Sequence, residues 1–230
     1  MLNKTLILCL FIFSSVAFAN NESVLRYVAL GDSYTIGTGA HLVESWPVLC
    51  TIRMQEKGRP IQLVGNLGRN GWTSQNLIDF ELPVLKQLKP DFVTLLIGVN
   101  DWVQGVDATT FQKHIEFIFD ELLKILPGPK YILIVTVPDF SVMPVGRQFS
   151  QGRDIAKGIN EFNQILIKEA QLRGLKTVDI YPLSQTLGQD PSLIAQDGLH
   201  PSAKGYARWS DLIEPAFDSL LLQDLPKTKL

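Results

Sequence analysis

The chain has 230 residues, of which 46% are hydrophobic, and its formal net charge is −2 at pH 7. This charge balance gives no electrostatic case for binding nucleic acid or an anionic membrane surface, so we expect neither as a partner. Its length and apolar content are those of a single domain with a sizeable core.

The N-terminal segment has the pattern of a targeting sequence. Residues 1–19 carry one charge, on Lys4, followed by an unbroken apolar run over 6–13, and they end in Ala17-Phe18-Ala19, which fits an A-x-A cleavage site. The run is shorter than the ~20 apolar residues that a membrane span needs. The sequence therefore predicts a signal peptide over residues 1–19, a mature domain over 20–230 and a periplasmic or secreted location. A short N-terminal anchor or a buried helix is the alternative.

Removal of the predicted signal peptide would leave Cys50 as the one remaining cysteine. A single cysteine cannot form an internal disulfide, even in an exported protein where a disulfide would be permitted. We expect Cys50 to be buried and unpaired, with a reactive thiol as the alternative.

Five short apolar runs rich in β-branched residues predict strands. Several of them are nearly continuous in their apolar character, which is typical of strands that are buried on both faces. The runs cover residues 24–30, 61–66, 91–98, 130–137 and 175–180.

Amphipathic helical patterns lie between and after the later strands. Apolar residues recur at spacings of three and four over residues 111–125, 155–170 and 206–217. The stretch from Asp107 to Thr110 is a candidate N-cap of the first of these helices, and Gly174 stands where the second should end. Strands that alternate with helices predict an α/β fold, with a parallel sheet that is covered on both faces.

Polar and glycine-rich blocks follow the strands. In an open α/β sheet, ligands bind beyond the carboxyl ends of the strands, because neighbouring loops converge there. The blocks are Gly31-Asp32-Ser33, residues 66–71, Gly98-Val99-Asn100-Asp101 and, after a loop, Asp197-Gly198-Leu199-His200-Pro201. Each block alone is an ordinary turn or helix start. Together and in order, they supply a complete set of groups for nucleophilic catalysis.

Ser33, His200 and Asp197 form a candidate catalytic triad. A serine hydroxyl needs a base within hydrogen-bond reach, and an imidazole can take and return a proton near neutral pH. Asp197 precedes His200 by three residues, so it could hold one ring nitrogen while the other faces Ser33. His41 follows the serine loop closely and is the rival base, whereas His114 is expected on the surface of its helix.

The attacked carbonyl becomes an oxyanion, and preorganised donors must meet it. The backbone N–H groups of Ser33 and Gly71 and the side-chain amide of Asn100 come from three adjacent loops, and they form the candidate oxyanion hole. A glycine lets a backbone amide approach the substrate without a Cβ in the way. Gly68 is the alternative to Gly71, because the second block contains both.

Three tryptophans, Trp46, Trp72 and Trp102, lie near the blocks in sequence and are the candidate substrate-binding residues. Packing in the core or at the rim is the alternative for each of them. The irregular stretch over residues 138–153 is either a wall of the binding site or a disordered surface loop. It supplies apolar side chains that would suit an acyl chain, namely Val142, Met143, Val145 and Phe149.

The four blocks resemble those of the SGNH hydrolases, also called the GDSL esterase/lipase family. The first block reads Gly31-Asp32-Ser33-Tyr34, with Tyr34 in the place of the family's leucine. In the second block, Trp72 follows Gly71 where related enzymes often have aspartate. The resemblance covers about residues 25–215.

The resemblance implies a flavodoxin-like, three-layer α/β/α sandwich with a five-stranded parallel sheet. It implies Ser33 as the nucleophile, His200 as the base and Asp197 as its partner. It also implies an oxyanion hole formed by Ser33, Gly71 and Asn100. The Gly-x-Ser-x-Gly elbow of ordinary α/β-hydrolases is absent, because Thr35 occupies the position of the last glycine.

The sequence therefore predicts a serine esterase that acts on a small-molecule or lipid ester through an acyl-enzyme, with a lipase- or lysophospholipase-like substrate. The chemistry needs no metal and no organic cofactor, and no His, Cys, Asp or Glu cluster in the sequence has metal-ligand spacing. Carbohydrate O-deacetylation and acyl transfer to a second alcohol are alternatives on the same site. A non-catalytic binding protein on the same fold is the alternative from another class.

Overall fold

Five parallel strands form the central sheet of the computed structural model, which describes residues 24–222. The strands are β1 (Leu25–Gly31), β2 (Ile61–Asn66), β3 (Phe92–Leu96), β4 (Ile132–Val135) and β5 (Lys176–Val178). Each strand falls within or next to a predicted one, so the strand predictions are confirmed. The predicted signal peptide over residues 1–19 lies outside the described residues.

Within residues 24–222, helices connect and flank the strands. The α-helices are α1 (Ser33–Ile36), α2 (Trp46–Glu56), α3 (Ser74–Asn76), α4 (Leu82–Leu88), α5 (Val99–Val103), α6 (Ala108–Ile125), α7 (Ile155–Leu172), α8 (Tyr181–Ser184) and α9 (Ala203–Leu221). A π-helical turn, Leu77–Glu81, joins α3 to α4. Short 3₁₀ helices cover Leu42–Glu44, Pro129–Tyr131, Gly146–Phe149, Leu187–Gln189 and Pro191–Leu193. No helix in this part of the chain combines the length and the apolar character needed to cross a bilayer.

The nearly continuous apolar character of the strands reflects cover on both faces of the sheet. Every residue of β3 and of β4 is buried. Helix α2 packs against α9, and α6 packs against α7, so a pair of helices covers each face. The strand order β2-β1-β3-β4-β5 is that of the flavodoxin-like folds, and the predicted three-layer α/β/α sandwich is confirmed.

Local capping determines where the long helices begin and end. Asp107 accepts a hydrogen bond from the N–H of Thr110 at 3.0 Å and caps α6, as predicted. Asp154 caps α7 in the same way, and Gly174 follows that helix with a φ of +67°. All three helices expected from the apolar periodicity are present as α6, α7 and α9.

Cys50 lies in α2 and is fully buried and unpaired, as expected. Burial raises the pKa of its thiol to about 12. The thiol is therefore protonated at neutral pH, and its burial keeps it from reacting as a nucleophile.

The candidate site residues converge because of the strand order. The chain runs from β1 outward to β2 and then crosses back to β3 on the other side of β1, which creates the topological switch point between β1 and β3. Ser33 follows β1 and Asn100 follows β3, so the two blocks that they represent meet at this point of the sheet edge.

Candidate active site

Ser33 lies at the bend where β1 turns into α1. Gly31 has a φ of +147°, and a Cβ at this position would collide with the carbonyl of Leu96 in β3, so the bend requires glycine. The Asp32 side chain accepts a hydrogen bond from the N–H of Tyr34 at 2.9 Å and caps α1. The bend thus holds Ser33 as the first residue of α1, with 6% of its surface exposed.

Ser33, His200 and Asp197 form a continuous hydrogen-bonded chain. His200 Nε2 lies 2.9 Å from Ser33 Oγ, and His200 Nδ1 lies 2.7 Å from Asp197 Oδ2. The other oxygen of Asp197 accepts the backbone N–H groups of Leu199 and His200, each at 2.9 Å. With Nδ1 donating to the carboxylate, Nε2 is left to accept the serine proton, which is the arrangement that a general base requires.

The surroundings of Asp197 hold its carboxyl in the charged form. Partial burial opposes ionisation, but the backbone N–H groups of His200 and Leu199, together with the His200 ring, outweigh burial and lower the pKa of Asp197. A charged Asp197 can stabilise the imidazolium that forms when His200 takes a proton.

Close contact between two loops places His200 next to the serine loop. A Cβ on Gly39 would lie 2.6 Å from the Cβ of Ala195 and 3.1 Å from the Cβ of His200, so only glycine permits this approach. The hydroxyl of Tyr206 in α9 donates to the carbonyl of Thr38 at 2.8 Å and fixes the same loop. Gly39 therefore keeps the serine loop thin where it passes His200.

The ring of the rival base, His41, makes no hydrogen bond to Ser33 Oγ, which is paired with His200 Nε2 instead. It is exposed at the N-cap of the 3₁₀ helix Leu42–Glu44, where its backbone N–H donates to Glu44 Oε2 at 2.9 Å. His41 does not line the cavity that contains Ser33, whereas His200 does.

Gly71 and Asn100 line the same cavity as Ser33. The N–H of Ser33 is in the first turn of α1 and has no acceptor within its own helix. Gly71 has a φ of +78°, and no atom lies within 4 Å of its ideal Cβ position, so its backbone is open. The Nδ2 group of Asn100 donates to the carbonyl of Trp72 at 2.9 Å and retains a second hydrogen for a ligand.

The two candidate glycines of the second block have different surroundings. Gly68 is buried, and a Cβ on it would lie 2.6 Å from the Asp32 carbonyl oxygen and 2.9 Å from the Ile36 nitrogen. Gly68 therefore lets the second loop pack against α1, and it does not line the cavity with Ser33. The placement favours Gly71 as the oxyanion donor.

A second group of Ser, Asp and His side chains connects the two loops that carry Gly71 and Asn100. Asp101 accepts both the N–H of Ser74, at 2.8 Å, and the Ser74 hydroxyl. Ser74 Oγ also lies 2.8 Å from His114 Nδ1. His114 was expected on the surface, but it is half-buried because its ring completes this network.

Two buried carboxyl groups lie beneath the serine bend. Glu81, at the end of the π-helical turn, accepts the N–H of Gly31 at 2.9 Å. Among the described residues, Asp32 Oδ2 and Glu81 Oε1 have no hydrogen-bond partner. Burial raises the pKa of Asp32 to about 8, although the hydrogen bond from the Tyr34 N–H lowers it and the charge of Asp101 raises it further. Burial also raises the pKa of Glu81 well above its usual range. Protonated carboxyls at this position add little negative potential where an oxyanion would form.

An apolar cavity of about 230 Å³ opens beside Ser33. Its polar lining consists mainly of the candidate triad and oxyanion groups, and the remaining side chains are largely aliphatic or aromatic. The lining residues are Ser33, Tyr34, Asn70, Gly71, Val99, Asn100, Val103, Phe140, Phe149, Leu199 and His200.

The irregular stretch over residues 138–153 forms part of this cavity, but through fewer side chains than expected. Phe149 lines the cavity as predicted, and Phe140, which the sequence analysis missed, lines it as well. Val142, Met143 and Val145 do not line it. Met143 is instead 4% exposed and packs in the core.

None of the three predicted tryptophans lines this cavity, so the prediction that they bind substrate is wrong for the buried Trp46 and Trp102 and stays a prediction for Trp72. Trp46 is fully buried at the start of α2, inside the hydrophobic core, where no substrate can reach it. Trp102 is 5% exposed and is held between Phe140, at 5.9 Å between ring centroids, and the guanidinium of Arg153, 4.0 Å from its ring. Trp72 borders a neighbouring groove and packs on Phe80.

The residues that the sequence analysis missed have weak sequence signals. Val99 and Asn70 adjoin predicted donors, so their proximity to the site could have been inferred. Ser74 and His114 are 40 residues apart, and Glu81 is 50 residues from Gly31, so their contacts have no local pattern.

Comparison with protein families matches residues 29–208 to the GDSL-like Lipase/Acylhydrolase family. The match spans well over half of the chain and includes the serine block, both oxyanion blocks and the Asp-His block.

The individual relatives share only about a quarter of their aligned residues with this chain. The chain is 25% identical to the spore germination lipase LipC of Bacillus licheniformis, over 84% of this chain and 96% of that protein. It is also 25% identical to the acetylxylan esterase of Xylanibacter ruminicola, over 86% of this chain, but it spans only 44% of that protein's length.

Among solved structures, the lipase/acylhydrolase from Enterococcus faecalis has the same fold. The two superpose with a TM-score of 0.68 at 22% identity, over 85% of this chain and 96% of that chain. The family match over residues 29–208, together with the fold, shows that the chain belongs to the GDSL-like lipase/acylhydrolase family of carboxylic ester hydrolases.

Proposed function

We propose that the protein hydrolyses carboxylic esters through an acyl-enzyme on Ser33, with His200 as general base and acid and Asp197 as its partner. The observation that carries this proposal is the hydrogen-bonded chain from Ser33 Oγ through His200 to Asp197, at the edge of an apolar cavity. Family membership supports the reaction class.

The first half of the proposed reaction forms the acyl-enzyme. Ser33 Oγ bonds to the ester carbonyl carbon while its proton passes to His200 Nε2. The carbonyl oxygen becomes an oxyanion, which the N–H groups of Ser33 and Gly71 and the Asn100 amide stabilise. His200 then returns the proton to the alkoxy oxygen, the carbon–oxygen bond breaks, and the alcohol leaves.

The second half restores the enzyme. A water oxygen bonds to the acyl carbon while one water proton passes to His200 Nε2. The same donors stabilise the second oxyanion. The bond to Ser33 Oγ then breaks, His200 returns the proton to that oxygen, and the carboxylic acid leaves.

The size of the apolar cavity supports short to medium acyl groups. The cavity volume of about 230 Å³ lies below the ~300–1,000 Å³ of pockets that enclose a drug-sized ligand. Phe149 at its mouth is 37% exposed, so a longer chain would extend past it into solvent.

A series of p-nitrophenyl esters from acetate to palmitate tests this proposal. We expect kcat/KM to peak between about four and eight acyl carbons, because burial of each methylene contributes roughly 0.8 kcal/mol until the cavity is full. A maximum at palmitate would show that the acyl chain does not lie in this cavity. Activity that persists in Ser33→Ala would contradict the esterase mechanism itself.

Carbohydrate O-deacetylation is the second candidate function. It is supported by the relative named acetylxylan esterase and by a second groove, lined in part by Thr38, Arg69 and Asn70, that shares Asn70 with the apolar cavity. Release of acetate from acetylated xylan at a rate above that for p-nitrophenyl butanoate would favour this function over a lipase-like one.

We also propose that the protein is exported, on the basis of the pattern in residues 1–19. Expression of the full chain in a bacterium, followed by N-terminal sequencing of the periplasmic and medium fractions, tests this. Export predicts a mature protein that begins at Asn20. An uncleaved chain confined to the cytoplasm would contradict it.

A further inference from the structure

Gln104 makes two hydrogen bonds that connect the candidate oxyanion groups to each other. It is the C-cap residue of α5, and its backbone N–H donates to the carbonyl of Asn100 at 2.9 Å. Its side-chain Nε2 donates to the carbonyl of Gly71 at 3.1 Å. One residue thus contacts both of the loops whose groups would bind the oxyanion, and the proposed reaction gives it no role.

The peptide group that follows Gly71 is held at both of its polar atoms. On one side, the N–H of Trp72 donates to the carbonyl of Arg69 at 3.3 Å, which is long for a bond of this type. On the other side, the Gln104 amide donates to the carbonyl of Gly71 and makes the shorter contact. Gly71 has no side chain of its own, and nothing packs against its Cβ position. The position of Gly71 therefore depends on these hydrogen bonds.

The N–H of Gly71 is available to a ligand. Within residues 24–222 it donates to no protein acceptor, although Gly71 lines the cavity together with Asn100. Asn100 Nδ2 donates to the carbonyl of Trp72 at 2.9 Å, one residue beyond Gly71. This bond and the one from Gln104 hold the Gly71 turn against the start and the end of α5. Together they determine how far the Gly71 N–H lies from the Asn100 amide.

Gln104 itself is not part of the substrate cavity. It is exposed, and it lines neither the apolar cavity nor the neighbouring groove. Its amide is neutral, so it adds no charge to the site. Substitution of an exposed side chain also has little effect on stability. Any effect of Gln104 on the reaction must therefore act through Gly71 and Asn100.

We infer that Gln104 is a positioning residue for the oxyanion hole, which holds the Gly71 peptide where its N–H and the Asn100 amide can meet the same oxygen. This inference rests on the proposed esterase function and deepens it. Oxyanion donors must lie about 2.7–3.1 Å from the oxygen in the transition state. A small displacement of one donor therefore lowers kcat and leaves substrate binding nearly unchanged.

Gln104→Met tests the inference, because methionine keeps the length of the side chain and has no N–H to donate. We expect kcat for p-nitrophenyl butanoate to fall about three- to tenfold, the effect of one lost hydrogen bond, with KM nearly constant. Gln104→Ala should give the same loss. Gln171→Met makes the same change at an exposed position on α7 and should keep the wild-type kcat. Titration of active sites with a fluorophosphonate refers each kcat to the folded chains alone.

A transition-state analogue distinguishes positioning from a general loss of structure. With propyl trifluoromethyl ketone, Ser33 Oγ bonds to the carbonyl carbon, its proton passes to His200, and the ketone oxygen becomes an oxyanion. The inhibition constant of this ketone should rise in Gln104→Met by the same factor by which kcat/KM falls. Gln171→Met should leave the inhibition constant unchanged.

A wild-type kcat in Gln104→Met, or a rise in KM with kcat unchanged, would overturn the positioning role and leave the esterase function intact. A fall in kcat with an unchanged inhibition constant would overturn it as well, since the loss would not act through the oxyanion. Hydrolysis that persists in Ser33→Ala would instead remove the proposed function, and the positioning role with it.

Discussion

The molecule contains two groups of Ser, Asp and His side chains at the same edge of the sheet. In the first, His200 lies between Ser33 and Asp197 and faces an open cavity. In the second, Ser74 lies between Asp101 and His114, and both Ser74 and Asp101 are fully buried. The same three residue types therefore occur in two different orders.

The order of the hydrogen bonds decides what each serine can do. Ser33 Oγ lies next to an imidazole nitrogen, which can accept its proton during attack. The Ser74 hydroxyl donates to a carboxylate, and its oxygen accepts from the His114 ring. Ser74 is fully buried and its proton is engaged by the carboxylate, so it is out of reach of substrate. The second group, which we call the Ser74 network, connects the two loops that carry Gly71 and Asn100.

The largest difference between the two groups should appear on removal of each serine hydroxyl. Ser33→Ala should lower kcat by about 10⁴-fold or more, because no covalent intermediate can form. Ser74→Ala should cost only about tenfold, since it loosens the loops without removing a reacting atom. Hydrolysis of p-nitrophenyl butanoate measures both. Equal losses in the two variants would contradict the distinction.

Asn100 provides a second test of the difference between the two groups, because it lies between them and directly precedes Asp101 in α5. Asn100→Ala should lower kcat by about 10²–10³-fold with little change in KM, since it removes one oxyanion donor. Asn160→Ala, at an exposed position on α7, is the control. Full activity in Asn100→Ala would remove this residue from the oxyanion hole.

His114 tests whether the Ser74 network has a positioning role. His114→Ala should lower kcat by about three- to tenfold and leave KM nearly constant, because the loss of one hydrogen bond shifts the oxyanion loops slightly. Lys113→Ala changes the adjacent exposed residue and serves as the control. A parallel rise in KM with no change in kcat would indicate a role in substrate binding instead.

The smallest expected effect is on the pH dependence of the free energy of unfolding, to which the buried carboxyls of Asp32 and Glu81 contribute. The folded-state pKa of Asp32 is raised to about 8, and that of Glu81 is raised as well. The same groups ionise near pH ~4 when unfolded. Between these values the folded state holds more protons, so the free energy of unfolding should fall as pH rises from 5 to 8.

Glu81→Gln should make this decline shallower, because glutamine keeps an acceptor for the Gly31 N–H and has no proton to lose. Urea unfolding at pH 5 and pH 8 measures the decline. Glu161→Gln, at an exposed position on α7, should retain the wild-type slope. An unchanged slope in Glu81→Gln would show that Glu81 does not hold its proton in this range.

The sequence allowed prediction of the features that follow directly from each strand. Ser33, Asn100 and His200 each stand in a recognisable block, and a parallel sheet brings such blocks to one edge. The order of the strands then determines that these blocks meet, which is why residues up to 167 positions apart are in contact.

The directions in which side chains point could not be predicted from the sequence. Trp72 and Trp102 both adjoin blocks of the site, yet Trp102 is buried and Trp72 borders a neighbouring groove. The contact between Ser74 and His114 depends on how α3 packs against α6, and no spacing along the chain encodes that packing.

Labelling with a fluorophosphonate, followed by peptide mass spectrometry, tests most directly which serine is the nucleophile. The reagent forms a stable adduct with an activated serine and mimics the tetrahedral intermediate. We predict one adduct per chain, on the peptide that carries Ser33, with loss of ester hydrolysis in proportion to labelling. An adduct on Ser74, or a fully labelled Ser33 in an enzyme that remains active, would contradict the assignment of Ser33 as the nucleophile.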